Sequence, residues 1–371
     1  VKVTLVVERF APSAGGVEQV VQQVARGLRD AGDEVRVIAR RGEAVRGVRL
    51  DRLDSPAVWQ PLRVGLFAAR VARRVARLRA RGETDVVHSF CRTLSQDVFH
   101  AGGGCHADYM RHTYGERGRR WRRLSPRHAL QLSLERRIFG DPRIVVQCPS
   151  AMVAREIGRR YAVAADRLRI VHNGVDVERF GRVSAAEGAA LRKELQGGPG
   201  PVWLFAGSGW SRKGLDTALR ALAAAREKTA ELWVAGADAP APWLARAGWL
   251  GVSDRVRFLG ARSDMERLYA AADGLLLPTR YDAFGLVCLE AAAAGRPVVT
   301  SARAGAAEVL GDGGVVVADP ENVAGFAEAL DALAEPGRRR TRGEAGRAAA
   351  ARLDWPHQVE ALRRLYAEVA G

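Results

Sequence analysis

Cysteine is scarce: the 371 residues hold four, Cys91, Cys105, Cys148 and Cys288. Their spacing fits neither a metal site nor a disulfide framework. They read as free thiols in a reducing cytoplasm. Long apolar runs are missing too, since none approaches the ~20 residues that a membrane-spanning helix requires. The opening VKVTLVVERF reads as a β-like run and a loop, not as a secretory signal. No Asp-x-Asp pair occurs, and no internal repeat or low-complexity tract interrupts the chain. Acids are outnumbered, 42 Asp and Glu against 58 Lys and Arg, for a net charge of +16. That balance favours an anionic partner: nucleic acid, anionic lipid or a phosphorylated substrate. Lys is rare beside Arg, a bias that genome composition alone produces, so charge does not choose among the three.

What is present is a globular chain, 47% hydrophobic and 27% charged, long enough for two domains. Short β-branched runs without polar alternation read as buried parallel strands. In the first half they fall at residues 1–7, 34–39, 85–88, 143–147 and 168–171. In the second they fall at 201–206, 231–235, 256–259, 274–277, 297–300 and 314–317. Helical patterns alternate with them, as at 17–31 and 62–81, so each half is α/β. Residues 184–200 end in Gln-Gly-Gly-Pro-Gly, which is linker chemistry. The expected domains are therefore 1–183 and 201–352, with a linker at 184–200. Helices at 320–334 and 338–352 precede a final amphipathic helix within 353–371.

Three segments carry chemistry. TRYDAFGLVCLEAAAAGRPVVT, 279–300, places Asp282 before a Phe284-Gly285 pair and Glu290 on the helix that follows. A fresh helix start offers amides and a positive dipole end to a phosphate, and carboxylates accept hydrogen bonds from sugar hydroxyls. GSGWSRKG, 207–214, follows a strand without the GxxxxGK[ST] order of a P-loop. It sets Arg212 and Lys213 at the start of the next helix, where cations and amides suit a diphosphate. Gly15-Gly16-Val17-Glu18 opens the first helix after the first strand, so backbone there can approach a phosphate closely. Taken singly, each has a plain alternative: a loop acid, a solvated basic pair, a turn.

Together these segments resemble the retaining glycosyltransferases of family 4, over nearly the whole chain. The resemblance also covers HNGVD at 172–176, FLG at 258–260, AAADGLLLPT at 270–279 and GRPVVTSARAGAAEVLGDGG from Gly295. It implies a GT-B fold, two Rossmann-like domains facing across a cleft, with the acceptor domain first and the donor domain second. It implies a last helix that crosses back to the first domain. Glu290 would hold the nucleotide ribose, and Asp282 would lie beside the transferred sugar. The Phe284, Gly285 and Leu286 backbone would meet sugar and phosphates. Arg212 and Lys213 would clamp the diphosphate, Arg262 would lie by the base, and Gly15 and Gly16 would face the phosphates. Asp282 stands where the family usually has Glu, Ser208 follows Gly207 where an Arg is common, and HNGVD replaces PNGVD.

In HAGGGCHADY, 100–109, His106 matches the family histidine that contacts the transferred sugar, and Cys105 beside it reads as packing. That run resembles the lipopolysaccharide core glucosyltransferase branch. Farther on, Arg117, Arg119, Arg120, Trp121, Arg122 and Arg123 suit an anionic membrane surface or acceptor.

The resemblance thus implies a hexosyltransferase that moves glucose from UDP-glucose, with retention, to a hydroxyl of a glycan or glycolipid such as lipopolysaccharide inner core. No cofactor and no metal are expected, the cations standing in for one, and no nucleic acid partner. The expected location is cytoplasmic, peripheral to the inner face of the membrane. Another GT-B enzyme, such as an epimerase or phosphorylase, or a basic nucleic-acid-binding protein, remains the alternative.

Overall fold

The computed structural model describes residues 1–11, 15–54, 59–122 and 125–370, without the side chains of 116, 117 and 119–121. Of the six expected membrane contacts, only the exposed Arg122 is therefore described. The chain forms two compact units: Val1–Gly174 with Trp355–Gly371, and Val175–Asp354.

The first unit holds β1 (Lys2–Phe10), β2 (Glu34–Gly42), β3 (Arg49–Arg52), β4 (Val86–Ser89), β5 (Val98–His100), β6 (Val145–Cys148) and β7 (Leu168–Ile170). They form one sheet in the order β3-β2-β1-β4-β5-β6-β7, every pairing parallel. Two of these strands escape the sequence pattern. Arg-Leu-Asp-Arg of β3 is a polar edge strand, and Val-Phe-His of β5 is too short to show a period. The second unit holds β8 (Val202–Ala206), β9 (Glu231–Ala235), β10 (Val256–Gly260), β11 (Gly274–Leu277), β12 (Val298–Ser301) and β13 (Gly314–Val317). Their order is β10-β9-β8-β11-β12-β13, again parallel throughout. Each sheet reverses its winding once, at β1/β4 and at β8/β11. Ligands bind parallel sheets in the crevice beyond the strand carboxyl ends at such a reversal.

The changeover between units falls between Gly174 and Val175, not in the Gly-rich segment expected as a linker. Ala185–Glu194 is instead a helix of the second unit, started by a capping box between Ser184 and Glu187. The last helix, Trp355–Ala370, returns to the first unit. A Cβ on Gly27 would sit 2.5 Å from Val359, so only glycine lets the first helix and the last approach this closely. Tyr366 reaches His88 Nδ1 at 2.7 Å, and Arg363 pairs with Asp33 at 2.8 Å.

Gly214 ties the 207–214 loop to the sheet. It has φ +82°, and a Cβ there would lie 1.9 Å from the Pro278 carbonyl oxygen. Both the left-handed backbone and the clash with rigid backbone oppose a side chain. Gly214→Ala is expected to lower stability by about 3 kcal/mol or more, read as a fall in urea midpoint at unchanged slope. An unchanged midpoint would contradict this close approach.

Candidate functional site

In the second unit, three loops meet beyond the carboxyl ends of β8 and β11. Residues 207–214 leave β8 and residues 278–286 leave β11. The third, after β12, pins the second: Asp282 donates its amide to the Arg303 carbonyl, and its own carbonyl accepts from Gly305. The Ala306 amide donates to the Phe284 carbonyl. Phe284 is buried beneath, so the loop is held from two sides.

Lys213 and Asp282 meet at 3.0 Å, with Arg212 at 3.8 Å from the same carboxylate oxygen. Arg212 also donates to the Tyr281 carbonyl at 2.6 Å. Lys213 is 7% exposed. Its stem lies so close to Gly207 that a Cβ there would be 2.8 Å from its Cε. Burial opposes ionisation of Asp282, but the Lys213 and Arg212 charges and the Phe284 amide outweigh it and hold the carboxyl below its ordinary range. Asp282 is therefore ionised at neutral pH, with two basic side chains around its carboxylate. The two cations close a one-turn helix, Trp210–Lys213, rather than starting the next, which begins at Leu215. The amides that open this turn are occupied: Gly209 and Trp210 donate to the Asp238 carboxylate at 2.8 and 3.2 Å. Those two amides are therefore not free to meet an anion, and the polar groups this loop offers are the side chains of Arg212 and Lys213.

The helix Leu286–Ala293 differs. Gly285, at φ +89°, turns the chain into it without a side-chain cap. Among the described residues no group accepts from the Leu286 and Val287 amides, so this helix start is open, with the positive end of its dipole toward the loop. Glu290 lies one turn in, 8% exposed, and accepts from the Tyr269 hydroxyl at 2.9 Å. Burial raises its pKa, with Tyr269 opposing. Tyr269 is edge-on to Phe180 at 5.6 Å, and Arg179 pairs with Glu266 at 2.7 Å. Asp176 caps the helix that carries Arg179 and Phe180. The end of HNGVD thus supports the Tyr269–Glu290 pair. Tyr269 is the positioning residue that the sequence reading missed. A tyrosine on a buried helix face needs an acceptor for its hydroxyl, and that need was the available clue. Arg262 is engaged elsewhere, in a two-point pair with Asp264 at 2.8 and 2.7 Å.

In the first unit Gly15, at φ +153°, precedes helix Gly16–Asp30 at the end of β1. His106 is the first residue of helix His106–Arg122, just after β5 and its glycines. Its amide donates to Glu135 Oε1 at 2.8 Å. The fully buried Glu135 also accepts from Arg92 and from the Tyr161 hydroxyl. The His106 ring stacks on His128, with Nε2 2.9 Å from its Nδ1. Burial, then the charges of Arg92, His128 and Arg127, lowers the His106 pKa to about 3. Burial lowers His128 too, so the pair is neutral at pH 7. Burial pushes the Cys105 thiol well up, which suits packing and not nucleophilic attack.

These buried histidines make stability pH-dependent. Burial lowers His100 to about 4 and holds His88 well below its ordinary value. The unfolded state, with histidine near 6.5, binds protons that the folded state refuses. Stability is therefore full above about pH 6.5 and is lost as pH falls toward 4 and 3. The urea midpoint is expected to decline across that window, and His100→Asn to flatten the decline. A midpoint independent of pH from 7 to 4 would contradict the buried neutral histidines.

Among the described residues no group of three or more His, Cys, Asp or Glu is placed to hold a metal. No described helix is long and apolar enough to cross a membrane.

Two family models match the chain. Glycosyltransferase Family 4 covers residues 14–179, and Glycosyl transferases group 1 covers residues 200–335. The D-inositol 3-phosphate glycosyltransferase of Salinispora arenicola is 30% identical over 403 aligned residues, 96% of this chain and 87% of that protein. The lipopolysaccharide glucosyltransferase WaaG of Escherichia coli is 31% identical over 64% of each chain. The crystal structure of WaaG, a glycosyltransferase involved in lipopolysaccharide biosynthesis, matches with a TM-score of 0.83 at 26% identity, covering 100% of both chains. Anabaena HepE, solved with UDP and glucose, matches at a TM-score of 0.73 and 17% identity over 99% of both, a likeness of fold.

Proposed function

Because the chain belongs to the family 4, group 1 glycosyltransferases of GT-B fold, we propose that it moves a hexose from a nucleotide-sugar to a hydroxyl of a glycan or glycolipid, with retention and without a metal. The observation that carries this is the Lys213–Asp282 pair, 3.0 Å apart, beside the open helix start at Gly285. Arg212 and the free Lys213 protons stabilise negative charge on the leaving nucleoside diphosphate. Asp282 aims the ammonium and accepts from a sugar hydroxyl. Glu290 accepts from the ribose hydroxyls, and the Leu286 and Val287 amides face the phosphates. The bond from the anomeric carbon to the phosphate oxygen breaks as the acceptor oxygen bonds on the same face. The leaving phosphate takes the acceptor proton.

UDP-glucose is the donor favoured by this reading, supported by likeness to a lipopolysaccharide glucosyltransferase and to a fold neighbour solved with UDP and glucose. Thermal stabilisation by a panel of nucleotide-sugars tests it. A rise in melting temperature with UDP-glucose above the other donors supports it, and no response to any donor overturns the nucleotide-sugar site.

The proposed location is peripheral, on the inner face of an anionic membrane, through the basic segment at 117–123. Each basic residue near such a surface contributes ~1 kcal/mol. Neutralising Arg119, Arg120, Arg122 and Arg123 together is therefore expected to release the protein from anionic vesicles in co-sedimentation. Unchanged pelleting would remove this segment from the account.

A further inference from the structure

A second charged cluster lies in the first unit, at the carboxyl ends of β1 and β2. Val6 of β1 and Ile38 of β2 join Phe67 and Val71 of helix Gln60–Ala80 in one apolar cluster. Strand alternation puts Glu8 and Arg40, two residues on, on that same face at the carboxyl ends of the strands. Arg63 lies one turn before Phe67 on the helix. The helix–sheet interface thus ends, at the ligand-binding edge of the sheet, in a pair of arginines. Arg9 and Arg41, one residue on, are exposed and paired in the β1–β2 register on the other face of the sheet, where they add positive charge at a distance.

Arg40 is only 5% exposed. Its side chain makes no ion pair and no hydrogen bond with any described residue, and its Nε and that of Arg63 are buried without a partner. Glu8 is near enough to favour the Arg40 charge but forms no ion pair with it. Burial comes first among the causes that lower the Arg40 pKa, followed by the charge of Arg63. A buried guanidinium beside three further cations, with one nearby carboxylate, is a charge arrangement that folding alone does not favour. Elsewhere this fold pairs its buried cations, as Lys213 is paired with Asp282. Planar N–H forks without protein partners match the oxygens of a dianion.

We infer that Arg40 and Arg63 bind a phosphate monoester, and that this phosphate is carried by the acceptor. Only the word acceptor rests on the glycosyl-transfer reading. The anion site stands on its own geometry. The site deepens that reading by naming the acceptor as a phosphorylated one, held in the unit that does not carry Lys213.

The test titrates inorganic phosphate into the full chain, with ionic strength matched by chloride, and follows thermal denaturation. Saturable stabilisation of the parent is expected. Arg63→Gln should weaken phosphate by about tenfold to a hundredfold, as loss of one charge-assisted hydrogen bond does. Arg40→Lys keeps the charge without the fork and should also weaken it, which covers the case in which Arg40→Gln does not fold. Lys213→Ala should keep the phosphate response. An equal response in the parent, Arg63→Gln and Arg40→Lys overturns the proposal, as does a response lost with Lys213→Ala alone. Vesicles of anionic phospholipid form a separate arm. If Arg63→Gln loses vesicle binding while free phosphate never stabilises the parent, the cations meet a lipid surface and the acceptor site is overturned. A parent that binds phosphate but no nucleotide-sugar sinks the transferase reading and leaves the anion site intact.

Discussion

Lys213→Ala is expected to lower turnover by about two to three orders of magnitude, the effect of deleting one donor that stabilises charge developing in a transition state. Lys213 is buried, its Nζ is 3.0 Å from Asp282, and its stem is packed on Gly207. Its ammonium has three protons, and Asp282 occupies one, leaving the others for the leaving diphosphate. Arg212, tied to the Tyr281 carbonyl and 3.8 Å from Asp282, cannot move to take its place without giving up that bond. The truncated variant also leaves Asp282 buried with less positive charge nearby. The Asp282 carboxyl is now held low by Lys213 and Arg212 against the effect of burial. Removing Lys213 lets its pKa rise, so the acid limb of the residual activity should shift to higher pH. Lys213→Arg is expected not to rescue, because the contact with Gly207 leaves no room for a planar group. Turnover in Lys213→Ala within a few-fold of the parent would remove the cation clamp from the mechanism.

The second large effect is on binding. Glu290→Ala should weaken nucleotide-sugar affinity by about tenfold to a hundredfold, the range for hydrogen bonds made by a charged group. It should change turnover at saturation much less. The carboxylate is 8% exposed and receives the Tyr269 hydroxyl at 2.9 Å, so its free oxygen is aimed and not swinging. Tyr269→Phe keeps the ring against Phe180 and deletes only that bond. A smaller loss in the same direction, in KM and not in kcat, is the outcome expected for a positioning residue. A Glu290→Ala enzyme with unaltered KM and strongly reduced kcat would move Glu290 from the ribose to the reacting centre.

Much of this site was legible in the sequence because buried parallel strands write themselves as short β-branched runs and their loops as glycine clusters. Glu231–Ala235, Gly274–Leu277 and Gly314–Val317 carry the bounds read from the sequence. Asp282 and Glu290 fall on the loop and the helix that were expected, and Gly285 makes the left-handed turn between them. Other features were not legible, for physical reasons. Asp238 and the amides of Gly209 and Trp210 are 28 or 29 residues apart in sequence, and only the parallel pairing of β8 with β9 joins them. The Tyr269–Glu290 bond spans 21 residues and depends on how two helices pack. Glycine-rich chemistry near 196–200 read as a linker, yet Arg192 donates to the Gly198 carbonyl at 2.9 Å and Glu231 accepts the Gly198 amide at 2.6 Å. Those bonds fix a segment that composition alone marks as flexible. Arg40 reads as one arginine among many until its burial is known.

The proposed transfer depends on a nucleoside-diphosphate site whose charge is met by Arg212 and Lys213 and not by a metal. Calorimetric titration of UDP into the full chain in the presence of EDTA tests it most directly. Saturable one-site binding that survives the chelator and is lost in Lys213→Ala is expected. Binding that appears only when a divalent cation is added, or that is equally tight in Lys213→Ala, would contradict it.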